Sequence, residues 1–321
     1  MVTRRTSVIC TILFLYLLLL ASCAASQSTP ATPTPSPTRS KPTPITPTPT
    51  PTPKPTPTIV TAAPTHYTAH IRLQGTARPD DMTFDLQGNI LFSDFFNGTV
   101  SRLNANGSVS VLLRGIAGPE GLIMLPDGTL ILAEQRTNRI LTLAPGAPTP
   151  TVLRALPGTP STAPCKDGVD GIALDPTTNT IIVPDSPTGV VYSMSLDGKN
   201  LTLLASGIVR PVGAVVDAQG NIYVADECGG ALWRIPPHGT PTHLGGFGML
   251  DDVALDPHGN LLVTDLAGPI HSLIRVNWTT GKRETLASRG FIEPQGLLVD
   301  SHDDIFVSDD YANIIMEYTP T

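Results

Sequence analysis

One short unit recurs six times in this chain and limits what it can become. Each copy is an apolar run, a turn, a second apolar run and a closing acid. The copies are DDMTFDLQGNILFSD from Asp80, EGLIMLPDGTLILAE from Glu120, DGIALDPTTNTIIVPD from Asp170, VGAVVDAQGNIYVAD from Val212, DDVALDPHGNLLVTD from Asp251 and QGLLVDSHDDIFVSD from Gln295. The runs are rich in β-branched and long apolar residues, which fit a pleated surface, and the turns between them carry Gly or Asn in five of the six copies; each unit therefore reads as a hairpin. The residues ending the first runs, Asp85, Leu125, Asp175, Asp217, Asp256 and Asp300, recur at a spacing of roughly 40 to 50 residues, the repeat length of a four-stranded propeller blade.

Further strand patterns complete most units, as at Gly98–Asn104 and Ser108–Leu113 after the first. The last unit runs out of chain after Tyr318, whereas an unpaired alternating strand, with Tyr67, Ala69, Ile71 and Leu73 on one face, precedes the first. The expectation is an all-β, six-bladed β-propeller with four antiparallel strands per blade, its ring closed by that N-terminal strand, which becomes the outermost strand of the last blade and removes an open sheet edge. The innermost strands, such as Ile172-Ala173-Leu174, are nearly continuous in apolar character and are expected to be buried on both faces.

The repeats begin near residue 66, and composition explains what lies before them. Residues 1–22 open with Arg4 and Arg5, continue through an apolar run and close on Leu20-Ala21-Ser22 before Cys23, the pattern of an export signal. Those last residues resemble a bacterial lipobox, in which Cys23 is lipidated and becomes the mature N-terminus; the alternative is an ordinary signal peptide. Residues 23–65 are dominated by Thr and Pro. Alternating Pro removes backbone donors and fixes φ, so an extended polyproline stalk is expected between the membrane and a domain at 66–321. The implied location is the extracytoplasmic side of a membrane, with the lipid on Cys23 as the contact. A formal net charge of −7 and the lack of a basic stripe argue against a nucleic-acid partner, and the closed ring is expected to be a monomer.

Cys165 and Cys228 fall in loops that share one face of such a ring, in a compartment that permits oxidation, so a disulfide is expected; two unpaired thiols are the alternative. No G-x-S-x-G, H-E-x-x-H or P-loop occurs, and the seven histidines stand singly.

Propeller ligands bind where the entry loops meet the axis. The residue before each innermost strand is Asp80, Glu120, Asp170, Val212, Asp251 and Gln295. Four carboxylates converging there repel one another. A divalent cation relieves this, and an all-oxygen set suits Ca²⁺ or Mg²⁺, with Mn²⁺ and Zn²⁺ as further candidates; the alternative is that the acids accept hydrogen bonds from turn amides. Asp81 and Asp252 stand where other blades have Gly, either sharing the site or capping turns. The acids that end the second strands, Asp94, Glu134, Asp185, Asp226, Asp265 and Asp309, recur in every blade and are expected to tie a loop to a neighbouring blade.

The segments NGTVSRLNANG, PEGLIMLPDGTL, DGIALD and RPVGAVVDAQGNIYVAD resemble the repeats of the gluconolactonase/senescence-marker-protein family and of NHL-repeat propellers. The resemblance implies a metal at the channel mouth, with Asp80, Asp170 and Asp251 at ligand positions and Asp251 also as the base of lactone hydrolysis. Val212 stands where that family has an Asn ligand, so Glu120 would have to fill in. NHL-type propellers are binding or sensor modules, and a surface-anchored module taking a small molecule, glycan or protein at the mouth is the leading expectation. A metal-dependent lactone or ester hydrolase is the alternative, and a virginiamycin-lyase-like activity is a weaker third.

Overall fold

A computed structural model describes residues 63–267 and 271–321. The signal, Cys23 and most of the Thr/Pro stretch lie outside the described residues. Six four-stranded antiparallel sheets follow one another around a ring. Blade 1 holds Met82–Phe84, Ile90–Asp94, Thr99–Leu103 and Val109–Arg114; blade 2 holds Pro119–Met124, Leu130–Glu134, Arg139–Leu143 and Thr151–Ala155. Blade 3 holds Ala173–Asp175, Thr180–Asp185, Val190–Ser195 and Leu201–Ser206, and blade 4 holds Pro211–Val216, Ile222–Asp226, Ala231–Ile235 and Thr242–Gly245. Blade 5 holds Leu250–Leu255, Leu261–Asp265, Ser272–Val276 and Arg283–Ala287.

Blade 6 is built from both ends of the ring. Pro294–Val299, Ile305–Asp309 and Ile314–Pro320 come last in the chain, and Tyr67–Gln74 adds the outer strand in antiparallel register, Tyr67 opposite Pro320 and Gln74 opposite Ile314. Helical structure among the described residues is limited to the single 3₁₀ turn Gln135–Thr137.

The blades cohere through apolar faces pressed on their neighbours. In one cluster Ile123, Ile131, Ala133 and Ile140 of blade 2 pack with Ile172, Ile181, Val183 and Met194 of blade 3, and the other five clusters each likewise join two adjacent blades. Each blade thus completes its core only against its neighbours. One expectation is corrected here: in five of the six blades the second strand, not the innermost, is buried throughout. Ile90–Asp94, Leu130–Glu134, Ile222–Asp226, Leu261–Asp265 and Ile305–Asp309 are buried at every position, whereas Pro211–Val216 and Pro294–Val299 end half-buried. The reason is that one side of the innermost strands lines a central channel, a cavity of about 460 Å³.

Two local devices shape the mouth of that channel. In blades 2, 4, 5 and 6 the innermost strand carries a one-residue bulge between Pro119 and Leu122, Pro211 and Ala214, Leu250 and Val253, and Pro294 and Leu297. A bulge re-aims the side chains it contains, and these bulges contain Glu120, Val212, Asp251 and Gln295. The next residue is Gly in blades 2, 3, 4 and 6, because the neighbouring backbone leaves no room: a Cβ on Gly171 would lie 2.7 Å from the Gly213 Cα, and one on Gly121 2.6 Å from the Ile172 nitrogen.

The strand-end acids accept hydrogen bonds from the entry loop of their own blade, not from a neighbour. Asp226 takes the N–H groups of Val209 and Arg210, Asp265 those of Gly248 and Met249, and Asp309 those of Ile292 and Glu293. Blade 3 is the exception that also reaches across, since the Asn138 amide of blade 2 donates to Asp185 Oδ1 at 2.7 Å. The shared duty is to fix the loops from which the mouth is built.

Candidate functional site

The entry loops bring Asp80, Glu120, Asp170 and Asp251 to one cavity of about 240 Å³ at the mouth, together with Gln295. All four carboxylates are buried, each residue being at most 7% exposed. Val212 is not among the lining residues; it is fully buried in the apolar cluster between blades 4 and 5. Blade 4 contributes Arg210 instead, which sequence reasoning passed over. Arg210 Nη2 donates to Asp170 Oδ2 at 3.0 Å, its Nη1 pairs closely with Glu227, and Asp167 lies 3.7 Å from Nη2. The Gln135 amide donates to the same Asp170 oxygen at 3.0 Å. One oxygen of Asp170 is therefore held by two donors, which orients the other.

Gln135, Glu227 and Asp310 were also missed. All three occupy one register position, the residue after the strand-end acid, which lines the cavity in every blade but the third. Aligning the six hairpins one residue beyond the recurrent acid is the signal that would have found them.

Oxygen atoms of Asp81, Glu120 and Asp170 all lie within 4.8 Å of one another. Asp81 Oδ2 and Glu120 Oε2 are buried with no hydrogen-bond partner. Such orphaned oxygens are costly in a dry site, and both belong to residues of this trio. Asp80 shares a side-chain hydrogen bond with Glu120. With its carboxamide turned to donate, Gln295 contacts Asp251 Oδ2 at 2.9 Å. Asp252 has a structural task as well: it accepts the N–H of Val253 at 2.7 Å and that of Leu297, in the next blade, at 2.8 Å.

The cluster holds its protons tightly. Burial, and then the charges of Asp170 and Asp310, push Asp80 well above the usual carboxylate range; burial with Asp80 and Asp170 does the same to Glu120, and burial with Asp170 and Asp80 to Asp251. Burial, then the Asp252 and Asp170 charges, raises Asp81 likewise. Asp170 rises less far because the Arg210 guanidinium opposes its burial. Burial brings Asp252 to about 7 and Asp310 to about 6. With one buried guanidinium among so many acids, the mouth must take up protons or a cation. The donor set fits a hard divalent cation: oxygen atoms alone, two of them unpartnered, and one carboxylate already oriented.

The loop between blades 2 and 3 is fastened to this site. Cys165 and Cys228 form a disulfide with 6.1 Å between their Cα atoms, bridging 63 positions of sequence. It joins the loop leading to Asp167 and Asp170 to the residue after Glu227, so both sets of acids around Arg210 are covalently linked.

No protein-family model matches the chain, and no curated protein matches it. Solved structures do. A gluconolactonase from Xanthomonas campestris is 14% identical with a TM-score of 0.64, over 79% of this chain and 90% of that one. The PQQ-bound aldose sugar dehydrogenase of Streptomyces coelicolor is 14% identical with a TM-score of 0.65, over 80% and 99%. A catalytically inactive virginiamycin B lyase from Staphylococcus aureus with quinupristin is 14% identical with a TM-score of 0.60, over 79% and 99%. At these identities the likeness carries the fold, and proteins named for three different reactions share it.

Proposed function

We propose that this chain is a lipid-anchored, extracytoplasmic binding module, fixed to the membrane through Cys23 and acting as a monomer, whose propeller takes a small molecule at the channel mouth with the help of a divalent cation. The observation that carries the reading is that Asp81 and Glu120, each with an orphaned buried oxygen, come together with Asp170. Ca²⁺ or Mg²⁺ bound there would supply positive charge for an oxygen-bearing ligand, while Gln135 and Arg210 hold Asp170 and Gln295 holds Asp251. The experiment is calorimetric titration of the EDTA-treated chain with CaCl₂ and MgCl₂, paired with thermal unfolding. One cation per chain is expected, with a gain of about 2.7 kcal/mol at a hundredfold excess over Kd. Loss of binding is expected in Glu120→Gln and Asp81→Asn; a chain that binds neither ion refutes the reading.

A second reading is hydrolysis of a lactone or related ester, and a specific observation favours it. Asp251 lines the mouth cavity with Glu120 and Asp170, stands outside the converging trio, and has its carboxyl raised by burial, so that it takes a proton more readily than an exposed Asp. Turnover of a simple lactone that is lost in Asp251→Asn, with cation binding retained, would establish it.

A further inference from the structure

The mouth is two-sided, and the asymmetry follows from the register position after each strand-end acid. In blades 2 and 4 that position is Gln135 and Glu227, both engaged with Asp170 or Arg210. In blades 1 and 5 it is Phe95 and Leu266, and the following residue is Phe96 in blade 1 and Tyr311 in blade 6. The three aromatic rings in the lining of the cavity, Phe95, Phe96 and Tyr311, thus all stand on blades 6 and 1, across from Arg210 and Glu227. Asp310, also on this side, is turned towards Arg78, 3.6 Å from its Nη2.

These rings are held in place yet left open. Phe96 meets Phe95 edge to face at 5.3 Å between centroids and Tyr311 at 6.0 Å. The Arg78 guanidinium lies 3.5 Å from the centre of the Phe96 ring and 4.9 Å from that of Tyr311, and Arg136 lies 4.3 Å from that of Phe95. Gly118 gives Phe95 its room, because a Cβ there would lie 2.5 Å from the ring. Even so, Phe96 is 42% and Tyr311 48% exposed. Large apolar groups fixed in position and left in water beside a polar pocket mark a surface meant to be covered, and fixing them beforehand lowers the entropy lost on binding.

We propose that Phe96 and Tyr311 form a ring-binding subsite, so that the ligand of the mouth is an amphiphile: an oxygen-bearing head towards the carboxylates and a flat apolar or aromatic ring against blades 6 and 1. This rests on the reading that the mouth is the binding site. It narrows the ligand to cyclic compounds with one apolar half, in preference to molecules polar on all sides.

The test compares two probes that differ only by a fused benzene ring, δ-valerolactone and dihydrocoumarin. Their binding to the full chain is measured by saturation-transfer NMR in CaCl₂ and again in EDTA. Dihydrocoumarin is expected to bind about tenfold more tightly. That preference is expected to fall to about twofold in Phe96→Ala and in Tyr311→Ala, with the melting temperature and the Ca²⁺ isotherm of each variant unchanged. Equal binding of the two probes, binding of neither, or a preference that survives both substitutions overturns the inference. A chain that keeps the ring preference but binds no Ca²⁺ supports the subsite and refutes the cation reading alone.

Discussion

Replacing Asp226 by Ala should unfasten the entry of blade 4 at a cost that can be worked out beforehand. Its carboxylate accepts the N–H groups of Arg210 at 2.9 Å, Gly229 at 3.0 Å and Val209 at 3.2 Å, and the Trp233 indole N–H at 3.1 Å. A hydrogen bond to a charged acceptor contributes about 1.5–3 kcal/mol. Several of these donors are only partly buried and regain water once the acceptor is gone, so the sum should come to about 3–6 kcal/mol. Against a total stability of about 5–15 kcal/mol that is a large fraction. For a domain of this size it corresponds to a fall in Tm on the order of 10–20 °C.

Urea and thermal denaturation followed by circular dichroism measure it, with the slope of the urea transition required to stay constant so that stability alone has changed. Asp226→Asn keeps one acceptor oxygen and should cost about half as much. Asp197→Ala is the control. That carboxylate is exposed and serves only its own turn, through Ser195 and Lys199, so its loss should leave Tm unchanged. Gly229→Ala gives an internal check: its Cβ would stand 2.1 Å from Asp226 Oδ2, so it should be harmful in the native chain and nearly harmless in Asp226→Ala, a departure from additivity. A loss below about 1 kcal/mol in Asp226→Ala would refute the idea that the recurrent acids pin the loops of the mouth.

Three other outcomes are expected. Cys165→Ser with Cys228→Ser should lower stability by about 4 kcal/mol on the chain-entropy account for a loop of this length, read as a shift of the urea midpoint against the oxidised chain. In EDTA, stability should fall as pH rises from about 4 to about 7: Asp252 keeps its proton to about 7 in the folded chain but gives it up near 3.8 when unfolded, so the unfolded state binds fewer protons across that window. The slope of Tm against pH should be shallower in Asp252→Asn, and an unchanged slope refutes the assignment. Gly171→Ala should cost at least about 2 kcal/mol, because the added methyl meets the Gly213 backbone and not a side chain that can turn away; a neutral result in thermal unfolding would count against the close approach of blades 3 and 4.

The repeat carried the fold because each blade writes the same hairpin in the same register. The turn acids show why: Asp85, Asp217 and Asp256 each accept the backbone N–H groups two and four residues on, which makes the spacing of Asp, Gly and Asn a local necessity. Closure by Tyr67–Gln74 was legible from an alternating strand with no partner nearby in sequence. The mouth was legible only in part. Asp80, Glu120, Asp170 and Asp251 do share one cavity, but the oxygens that draw closest include those of Asp81, the neighbour of Asp80. That Asp81 as well as Asp80 reaches Glu120 depends on how blade 1 lies against blade 2, which a linear pattern does not record. Arg210 was hidden for a related reason: it sits two residues before the bulge of blade 4, outside the register in which ligands were sought.

The joint in blade 6 also decides where attachments emerge. The backbone N–H of Thr321 donates to the carbonyl of His66 at 3.2 Å, so the first and last residues of the ring lie side by side. They meet on the two outer strands of blade 6, the fourth and third from the axis. A fusion partner, label or surface coupled at either end leaves from one spot on the rim and keeps clear of the opening, and a short peptide could splice the two ends so that the circle is reopened between any other pair of blades.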